Sequence, residues 1–284
     1  MTSPLGSGAT PPAASAPIGV FDSGVGGLTV ARELMRQLPH ESVLYVGDTA
    51  RVPYGPKSPD TVRRYSREIA AFLLGEGVKA VVVACNTATA HALDVLRREL
   101  PVPVVGVVEP GARAAVGEAG GQTRRGRRVG VIGTVGTIRS GAYDRAIRAL
   151  DPDAVVVGQA CPLFVPLVEE GWLEHDATEL VAREYLAPLR EQRVDTVVLG
   201  CTHYPLLRPL IGRVVGPDVR LIDSARETAA ATARALADAG LTASGDGPPK
   251  RRFVVTDAAE QFARVAAHFL GAPLEHVETL ALAC

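Results

Sequence analysis

The sequence predicts an α/β fold with two pseudo-symmetric domains, each a mostly parallel sheet flanked by helices. Short β-rich runs alternate with helical patterns along almost the whole chain, which is typical of parallel sheets covered by helices. The run 78–85 is matched in length and pattern by 194–201, and 18–23 is matched by 129–134. Each half therefore reads as one α/β domain that contains a strand followed directly by a cysteine.

Proline and helix-capping residues delimit the elements of the first half. Pro39 and Pro101 each end a helical pattern, and Asp60 is suited to cap the helix after the loop 48–59. The predicted strands are 18–21, 42–46, 78–84 and 102–108, and the predicted helices are 28–38, 60–74, 87–100 and one that starts at Pro110.

The second half repeats this pattern after a polar stretch, 120–128, which we interpret as a surface loop. Its predicted strands are 129–132, 154–157, 194–199 and 219–222, and its predicted helices are 137–150, 163–170, 177–190 and 227–239. The remaining elements are a linker at 242–249, a strand at 253–255, a helix at 257–270 and a short edge strand at 276–280. These last elements have no counterpart in the first half and are expected to return to it.

The expected packing of these last elements against the first half sets the predicted domain boundaries. The first α/β domain is expected to comprise residues 17–113 plus 224–284, and the second residues 114–223. Residues 1–16 carry no charged side chain and are expected to form a disordered tail.

Composition and charge exclude several classes of protein. The chain has 284 residues, of which 47% are apolar and 21% charged, a globular profile. A net charge of −1 gives no general electrostatic case for binding nucleic acid or an anionic membrane. The N-terminus has neither the basic start nor the apolar stretch of a signal peptide, so we expect a cytoplasmic protein with reduced cysteines. Since no Cys-x-x-Cys pair is present, no structural metal site is expected.

Small polar and thiol groups follow many of the predicted strands. In an open parallel sheet, ligands bind beyond the carboxyl ends of the strands, where free N–H groups at helix N-termini suit carboxylates or phosphates. The segment 24–27 has glycines between a strand and a helix, but no third glycine in dinucleotide register. We interpret it as a tight turn that lets backbone approach another group. None of the three lysines reads as a buried Schiff-base residue, so no cofactor is expected.

Cys85 and Cys201 lie at matching strand ends, and each is predicted to precede a helix N-terminus that stabilises a thiolate. His203 lies two residues beyond Cys201, and Asp22 ends a strand of the same predicted domain as Cys85. An imidazole and a carboxylate are the groups expected to poise two thiols. The expected active site therefore lies between the two domains. The other two cysteines lack this matching context, and we interpret them as incidental; they are Cys161 and Cys284.

The segment after Cys201 contains a local conflict. Pro205 suits the first position of a helix, but Pro209 four residues later would remove a donor and clash with a carbonyl. The helix must therefore start later or be kinked at Pro209.

Four motifs in chain order resemble those of the glutamate racemases, within the cofactor-independent aspartate/glutamate racemase superfamily. They are FDSGVGGLTV at 21–30, GDTARVPYG at 47–55, ACNTATA at 84–90 and GCTHYPLL at 200–207. Two further segments are similar, namely GVVEP at 106–110 and PLFVPLVE at 162–169. The similarity extends from about residue 18 to the Ala-rich helix at 227.

The resemblance implies a racemase that supplies D-glutamate for peptidoglycan. By this resemblance Cys85 and Cys201 act on opposite faces of the α-carbon, assisted by Asp22 and His203. Glu169 resembles a carboxylate that supports the histidine, although the adjacent Glu170 leaves the assignment open by one residue. Asp22 and His203 also count among the expected substrate-binding positions, with Ser23, Pro53, Tyr54, Gly55, Asn86, Thr87, Thr134, Thr137 and Thr202. Family members commonly form dimers, so a homodimer is expected.

The residues themselves favour the same chemistry. Racemisation removes a weakly acidic α-proton and must treat both faces of a flat carbanion alike, which requires two acid/base groups of one type. Two matching domains that each contribute one cysteine provide them. An aspartate or hydantoin racemase is the nearest alternative. A thiol hydrolase with Cys201 as nucleophile gives no role to Cys85, and a two-lobed amino-acid-binding protein would need no catalytic pair.

Overall fold

The computed structural model describes residues 12–117, 126–245 and 247–281, and these contain two parallel sheets. Residues 1–11 of the expected tail, residues 120–125 of the expected surface loop, and Cys284 lie outside the described residues. The strands are β1 (Ile18–Asp22), β2 (Val43–Gly47), β3 (Ala80–Val83), β4 (Val104–Gly106), β5 (Arg128–Gly133), β6 (Val155–Ala160), β7 (Thr196–Gly200), β8 (Arg220–Asp223), β9 (Arg251–Val255) and β10 (Glu278–Thr279).

Helices connect consecutive strands, as parallel pairing requires. They are α1 (Leu28–Gln37), α2 (Pro59–Gly75), α3 (Asn86–Glu99), α4 (Val108–Val116), α5 (Val135–Arg139), α6 (Ala142–Leu150), α7 (Phe164–Glu169), α8 (Asp176–Glu191), α9 (Arg208–Val215), α10 (Ser224–Asp238) and α11 (Ala259–Leu270).

The two sheets share one strand order. The first runs β10-β9-β2-β1-β3-β4 and the second runs β6-β5-β7-β8. Four consecutive strands of the first sheet, β2-β1-β3-β4, therefore correspond one to one with the whole of the second. This arrangement confirms the predicted fold class. The matched runs 18–23 and 129–134 form β1 and β5, and the matched runs 78–85 and 194–201 form β3 and β7.

The last two strands extend the first sheet. β9 pairs with β2 and β10 pairs with β9, both in parallel. Helix α10 packs against α1 and α4, and both of these helices precede the polar stretch 120–128. The boundaries near residues 113 and 224 stay a prediction.

Burial explains why the central strands read as continuous apolar runs. Every residue of β1, β2, β3 and β7 is buried, as expected for parallel strands covered on both faces. A single hydrophobic cluster contains buried residues of both sheets, with Ile18 and Val82 from the first and Ile132 and Val197 from the second. The two halves are therefore packed against each other directly.

Two predicted helices differ from the structure. The helix expected over 137–150 is two helices, α5 and α6, separated at Gly141, whose φ of 63° is left-handed and breaks the helical path. After β7, a 3₁₀ turn covers Tyr204–Leu207 and α9 starts only at Arg208. Pro209 therefore lies in the first turn of α9, where its missing N–H costs nothing, and the conflict between the two prolines disappears.

No helix in the described ranges is long and apolar enough to cross a membrane.

Candidate active site

The carboxyl ends of β1, β3, β5 and β7 converge on one small pocket. It has about 30 Å³ of free volume. Its lining comes from both halves of the chain, namely Ser23, Val52, Pro53, Tyr54, Gly55, Cys85, Asn86, Thr87, Thr134, Val165, Cys201, Thr202 and His203. Both predicted cysteines thus border the same space, one from each sheet.

Cys85 is the N-cap residue of α3. Its Sγ accepts the backbone N–H of Ala88 at 3.4 Å and donates to Oγ of Ser23 at 3.6 Å. Burial, and next the nearby Asp22 carboxylate, raise the pKa of Cys85 to about 12. Cys85 is therefore held as a protonated thiol, although the N-terminus of α3 lies beside it.

Asp22 ends β1 behind the pocket wall. One register position before it, Phe21 pairs with Val83, so Asp22 lies close to the segment that carries Cys85. Its Oδ2 accepts the N–H of Gly24 at 2.9 Å, while Oδ1 has no hydrogen-bond partner among the described residues. Burial raises the pKa of Asp22, and the charge of His203 opposes that rise. This carboxylate is therefore buried between the two thiol regions.

Cys201 has a different set of neighbours. Its Sγ lies 3.8 Å from Nδ1 of His203, and Nε2 of His203 lies 2.8 Å from Oε1 of Glu169. Burial alone would lower the pKa of His203, but the hydrogen bonds to Cys201 and Glu169 raise it to about 10. The imidazole is therefore protonated at neutral pH, and it places a positive charge beside Sγ of Cys201.

Of the two adjacent glutamates considered for the histidine side, one contacts the imidazole. Glu169 is the last residue of α7 and reaches His203, whereas Glu170 is the C-cap residue beyond it. The ring of Phe269 from α11 packs against the ring of His203 in an edge-on arrangement, with centroids 5.3 Å apart. Nothing in the motif patterns pointed to Phe269, because it lies 66 positions away in the chain.

The glycine-rich turn after β1 touches the second half of the chain. A Cβ added to Gly26 would lie 2.2 Å from Oγ1 of Thr202 and 2.5 Å from Nδ1 of His203. The group that the backbone approaches is thus the segment carrying Cys201. Only a residue without a side chain permits this approach.

Hydroxyl groups join the two halves at the opposite wall. Thr87, at the start of α3, lies 2.9 Å from Thr134 and 3.2 Å from Thr137, oxygen to oxygen. Beside them the N–H of Gly136 donates to the carbonyl of Gly55 at 2.9 Å. Thr134 caps α5 by accepting the N–H of Thr137. These contacts place hydroxyl donors of both halves around one point of the pocket.

The loop before α2 forms another part of the wall. The Val52–Pro53 peptide bond is cis, and the hydroxyl of Tyr54 donates to the buried carboxylate of Asp48. Asp48 also accepts Nε of Arg51 at 2.8 Å and the Thr256 hydroxyl at 3.0 Å. The loop is therefore anchored at its start and at Tyr54.

The predicted site residues fall into two groups. Eleven line the pocket. Three lie behind the lining: Thr137 contacts the lining residue Thr87, Glu169 contacts the lining residue His203, and Asp22 directly precedes the lining residue Ser23. Sequence reasoning missed two apolar lining residues, Val52 and Val165, because aliphatic side chains within the quoted motifs carry no signal of catalysis or polar binding.

One expectation about the cysteines is wrong. Both were predicted to precede helix N-termini, but Cys201 is followed by turn residues and the 3₁₀ turn, and only Cys85 caps an α-helix. Cys161 is buried, with Sγ 3.7 Å from the carbonyl of Gln159, and does not line the pocket. Within the described ranges no group of three or more His, Cys, Asp or Glu side chains could hold a metal ion.

Known proteins are similar to this chain in sequence and in fold. The Asp/Glu/Hydantoin racemase family matches residues 18–232. A glutamate racemase from Geobacter metallireducens is 54% identical over 93% of this chain and 96% of its own length.

Solved structures of glutamate racemases have a similar fold. A glutamate racemase isoform from Bacillus anthracis has a TM-score of 0.87 at 44% identity, covering 93% of this chain and 97% of that one. A glutamate racemase from Francisella tularensis in complex with D-glutamate also has a TM-score of 0.87, at 37% identity, covering 95% of this chain and 98% of that one. With the family match extending over residues 18–232, the chain belongs to the Asp/Glu/hydantoin racemase family.

Proposed function

We propose that the protein is a glutamate racemase that interconverts L-glutamate and D-glutamate by proton transfer between two cysteines, without a cofactor. The observation that carries the proposal is the pair Cys85 and Cys201, which border one pocket from equivalent ends of two equivalent sheets. The high identity to glutamate racemases supports glutamate as the substrate.

The unequal surroundings of the two thiols define a starting state. We assign Cys201, beside the His203 imidazolium, as the thiolate base of the first step and Cys85, whose pKa is raised, as the thiol acid. The thiolate removes the α-proton, so the C–H bond breaks as an S–H bond forms on Cys201. Cys85 then gives its proton to the opposite face of the planar carbanion, and its own S–H bond breaks. The product is the other enantiomer, and the reverse reaction exchanges the two roles.

Substrate carboxylates are bound by neutral donors. The lining side chains include hydroxyls and an amide, and the N-terminus of α3 adds free backbone N–H groups at Asn86 and Thr87. Such donors stabilise the charge that accumulates on the α-carboxylate as the carbanion forms. Asp22 and Glu169 act from behind the lining, on the Cys85 side and the His203 side respectively.

Entry of the substrate requires the pocket walls to separate. A volume of about 30 Å³ has room for about one or two water molecules, and glutamate is several times larger. Because the walls come from both halves of the chain, the halves must move apart to admit glutamate and close again around it. Closure then excludes water that would protonate the carbanion.

We also propose the wider setting that the family suggests. The D-glutamate formed supplies peptidoglycan synthesis, the enzyme acts in the cytoplasm, and it acts as a homodimer. Light scattering of the purified enzyme together with its elution volume tests the last point, and a monomeric mass at assay concentrations would contradict it.

The decisive experiment follows the α-proton. L-glutamate incubated with the enzyme in deuterium oxide, with no added cofactor, should yield D-glutamate labelled with deuterium at the α-carbon, detected by chiral chromatography and mass spectrometry. Parallel reactions with L-aspartate and with a hydantoin test the nearest alternatives. If the folded protein forms neither D-glutamate nor labelled glutamate, the proposal is rejected; hydrolysis of an amide or ester substrate would favour the thiol hydrolase.

A further inference from the structure

Tyr143 contacts the segments of both cysteines although it does not line the pocket. It is buried on α6, and its hydroxyl donates to Oδ1 of Asn86 at 2.7 Å. Its ring lies against Gly200, where an added Cβ would be 3.2 Å from Cε2. One side chain therefore touches the residue after Cys85 and the residue before Cys201.

The direction of the Tyr143 hydrogen bond follows from its acceptor, because an amide oxygen can only accept and the single phenol proton therefore goes to Oδ1 of Asn86. The side chain of Ser224, the first residue of α10, also bonds to the phenol. Since the phenol proton is already used, Ser224 is the donor in that second bond. Gly111 leaves room for this arrangement, because a Cβ there would lie 3.2 Å from the phenol oxygen and 3.3 Å from Cβ of Ser224.

This chain of hydrogen bonds fixes which end of the Asn86 amide faces the pocket. Oδ1 is occupied by Tyr143, while Nδ2 is buried and has no hydrogen-bond partner among the described residues. Asn86 itself lines the pocket. A buried N–H₂ group without a partner is costly, and a carboxylate oxygen would satisfy it.

We propose that Tyr143 is a positioning residue that holds the Asn86 amide with Nδ2 towards the pocket, ready to donate to a carboxylate of the substrate. This role rests on the proposed racemase function. Without the phenol proton the amide is free to turn over, and its oxygen would then face the carboxylate and repel it. The ordered chain from Ser224 through Tyr143 to Asn86 links α10, α6 and α3, so it also forms only when these helices are in contact.

The test removes the phenol oxygen and keeps the ring. Tyr143→Phe should raise KM for glutamate about tenfold in both directions and change kcat less than twofold, because the lost contact serves binding. Tyr185→Phe is the matched control. Its hydroxyl accepts the N–H of Leu163 outside the pocket, so both constants should stay at the wild-type values.

A double-mutant cycle separates positioning from a general loss of packing. In an Asn86→Ala background, Tyr143→Phe should have no further effect on KM, since no amide remains to be oriented. Equal effects of Tyr143→Phe in both backgrounds would overturn the proposal, and so would an unchanged KM in the single variant.

A second variant covers the case in which Tyr143→Phe does not fold. Ser224→Ala removes the donor to the phenol oxygen and should raise KM by about two- to threefold, again only when Asn86 is present. An unchanged KM would overturn the proposal. Assaying the wild-type enzyme alongside separates the racemase function from the role of Tyr143. An inactive wild type contradicts the racemase function. An active wild type with unaffected variants contradicts only the role of Tyr143.

Discussion

The two cysteine regions have the same topology and opposite electrostatics. Cys85 follows β3 and Cys201 follows β7, which occupy equivalent positions in their sheets. Around Cys85 the structure places a helix N-terminus, the hydroxyl of Ser23 and a buried carboxylate, Asp22. Around Cys201 it places a protonated imidazole, His203. Matching folds therefore deliver two thiols to one pocket in different electrostatic surroundings.

This difference suits a reaction that needs one base and one acid at the same time. Two thiolates would leave no proton to deliver, and two thiols would leave no base. The nearby Asp22 carboxylate disfavours charge on Cys85, and the His203 imidazolium favours it on Cys201. The surroundings thus distinguish two groups that share one chemistry, and either group can take either role once the proton has moved.

The largest expected effect comes from removing either thiol. Cys85→Ser and Cys201→Ser should each lower kcat for racemisation by about a thousandfold or more, because a serine hydroxyl is a far weaker acid than a thiol and is not ionised to a base at neutral pH. Circular dichroism of the glutamate solution measures the rate. Cys161→Ser, at a buried cysteine outside the pocket, is the control and should keep near-normal activity. Full activity of Cys85→Ser would refute the two-base mechanism.

A smaller loss is expected where the two regions touch. Gly26→Ala places a methyl group 2.2 Å from Oγ1 of Thr202, so the Cys201 segment must shift. We expect kcat/KM to fall about a hundredfold, the scale of a misplaced catalytic group. Gly75→Ala is the matched control, since a Cβ there meets nothing within 4 Å and should leave kcat/KM unchanged. Equal activity of the two variants would contradict the close contact.

Selective alkylation tests the unequal protonation directly. Iodoacetamide reacts with thiolates, so at pH 8 Cys201 should be modified at least about tenfold faster than Cys85, whose pKa is raised to about 12. Peptide mass spectrometry after timed quenching gives both rates in one sample. The two cysteines have similar small exposures of 5% and 6%, so access does not favour either. Equal rates would mean that the starting state is assigned wrongly.

The smallest effect concerns the carboxylate behind His203. The pKa of His203 is raised to about 10, so the imidazolium is present at neutral pH and is lost as the pH rises through that value. Glu169→Gln removes a charge that raises this pKa, so the alkaline limb of the kcat profile should move to lower pH. We expect activity at pH 8 to fall about tenfold.

Glu170→Gln is the control for this change. Glu170 lies one residue beyond Glu169, as the C-cap residue of α7. Its profile should match the wild type, and an alkaline limb that shifts in Glu170→Gln but not in Glu169→Gln would reverse the assignment.

Much of the site could be predicted because local sequence encodes it. Strand ends, turns and helix caps depend on neighbouring residues, so the positions of Cys85, Cys201, Thr134 and the glycine turn were predictable from residues close to them. The repeated runs also predicted that the two cysteines are equivalent. The helix after Cys201 was predicted less well, because the choice between a kink and a later start depended on how the segment 201–207 packs.

The sequence by itself determined the two strands that are each followed by a cysteine, the glycine at position 26, and the alternation of strands and helices that leads to two parallel sheets. Only the tertiary structure decided which carboxylate reaches His203, since Glu169 and Glu170 differ by one position and the contact joins segments 34 residues apart. The hydrogen bond between Tyr143 and Asn86, which lie 57 positions apart in the chain, likewise depends on the tertiary structure. The physical reason is that turns and caps arise within a few residues, whereas these contacts arise from the packing of the two halves.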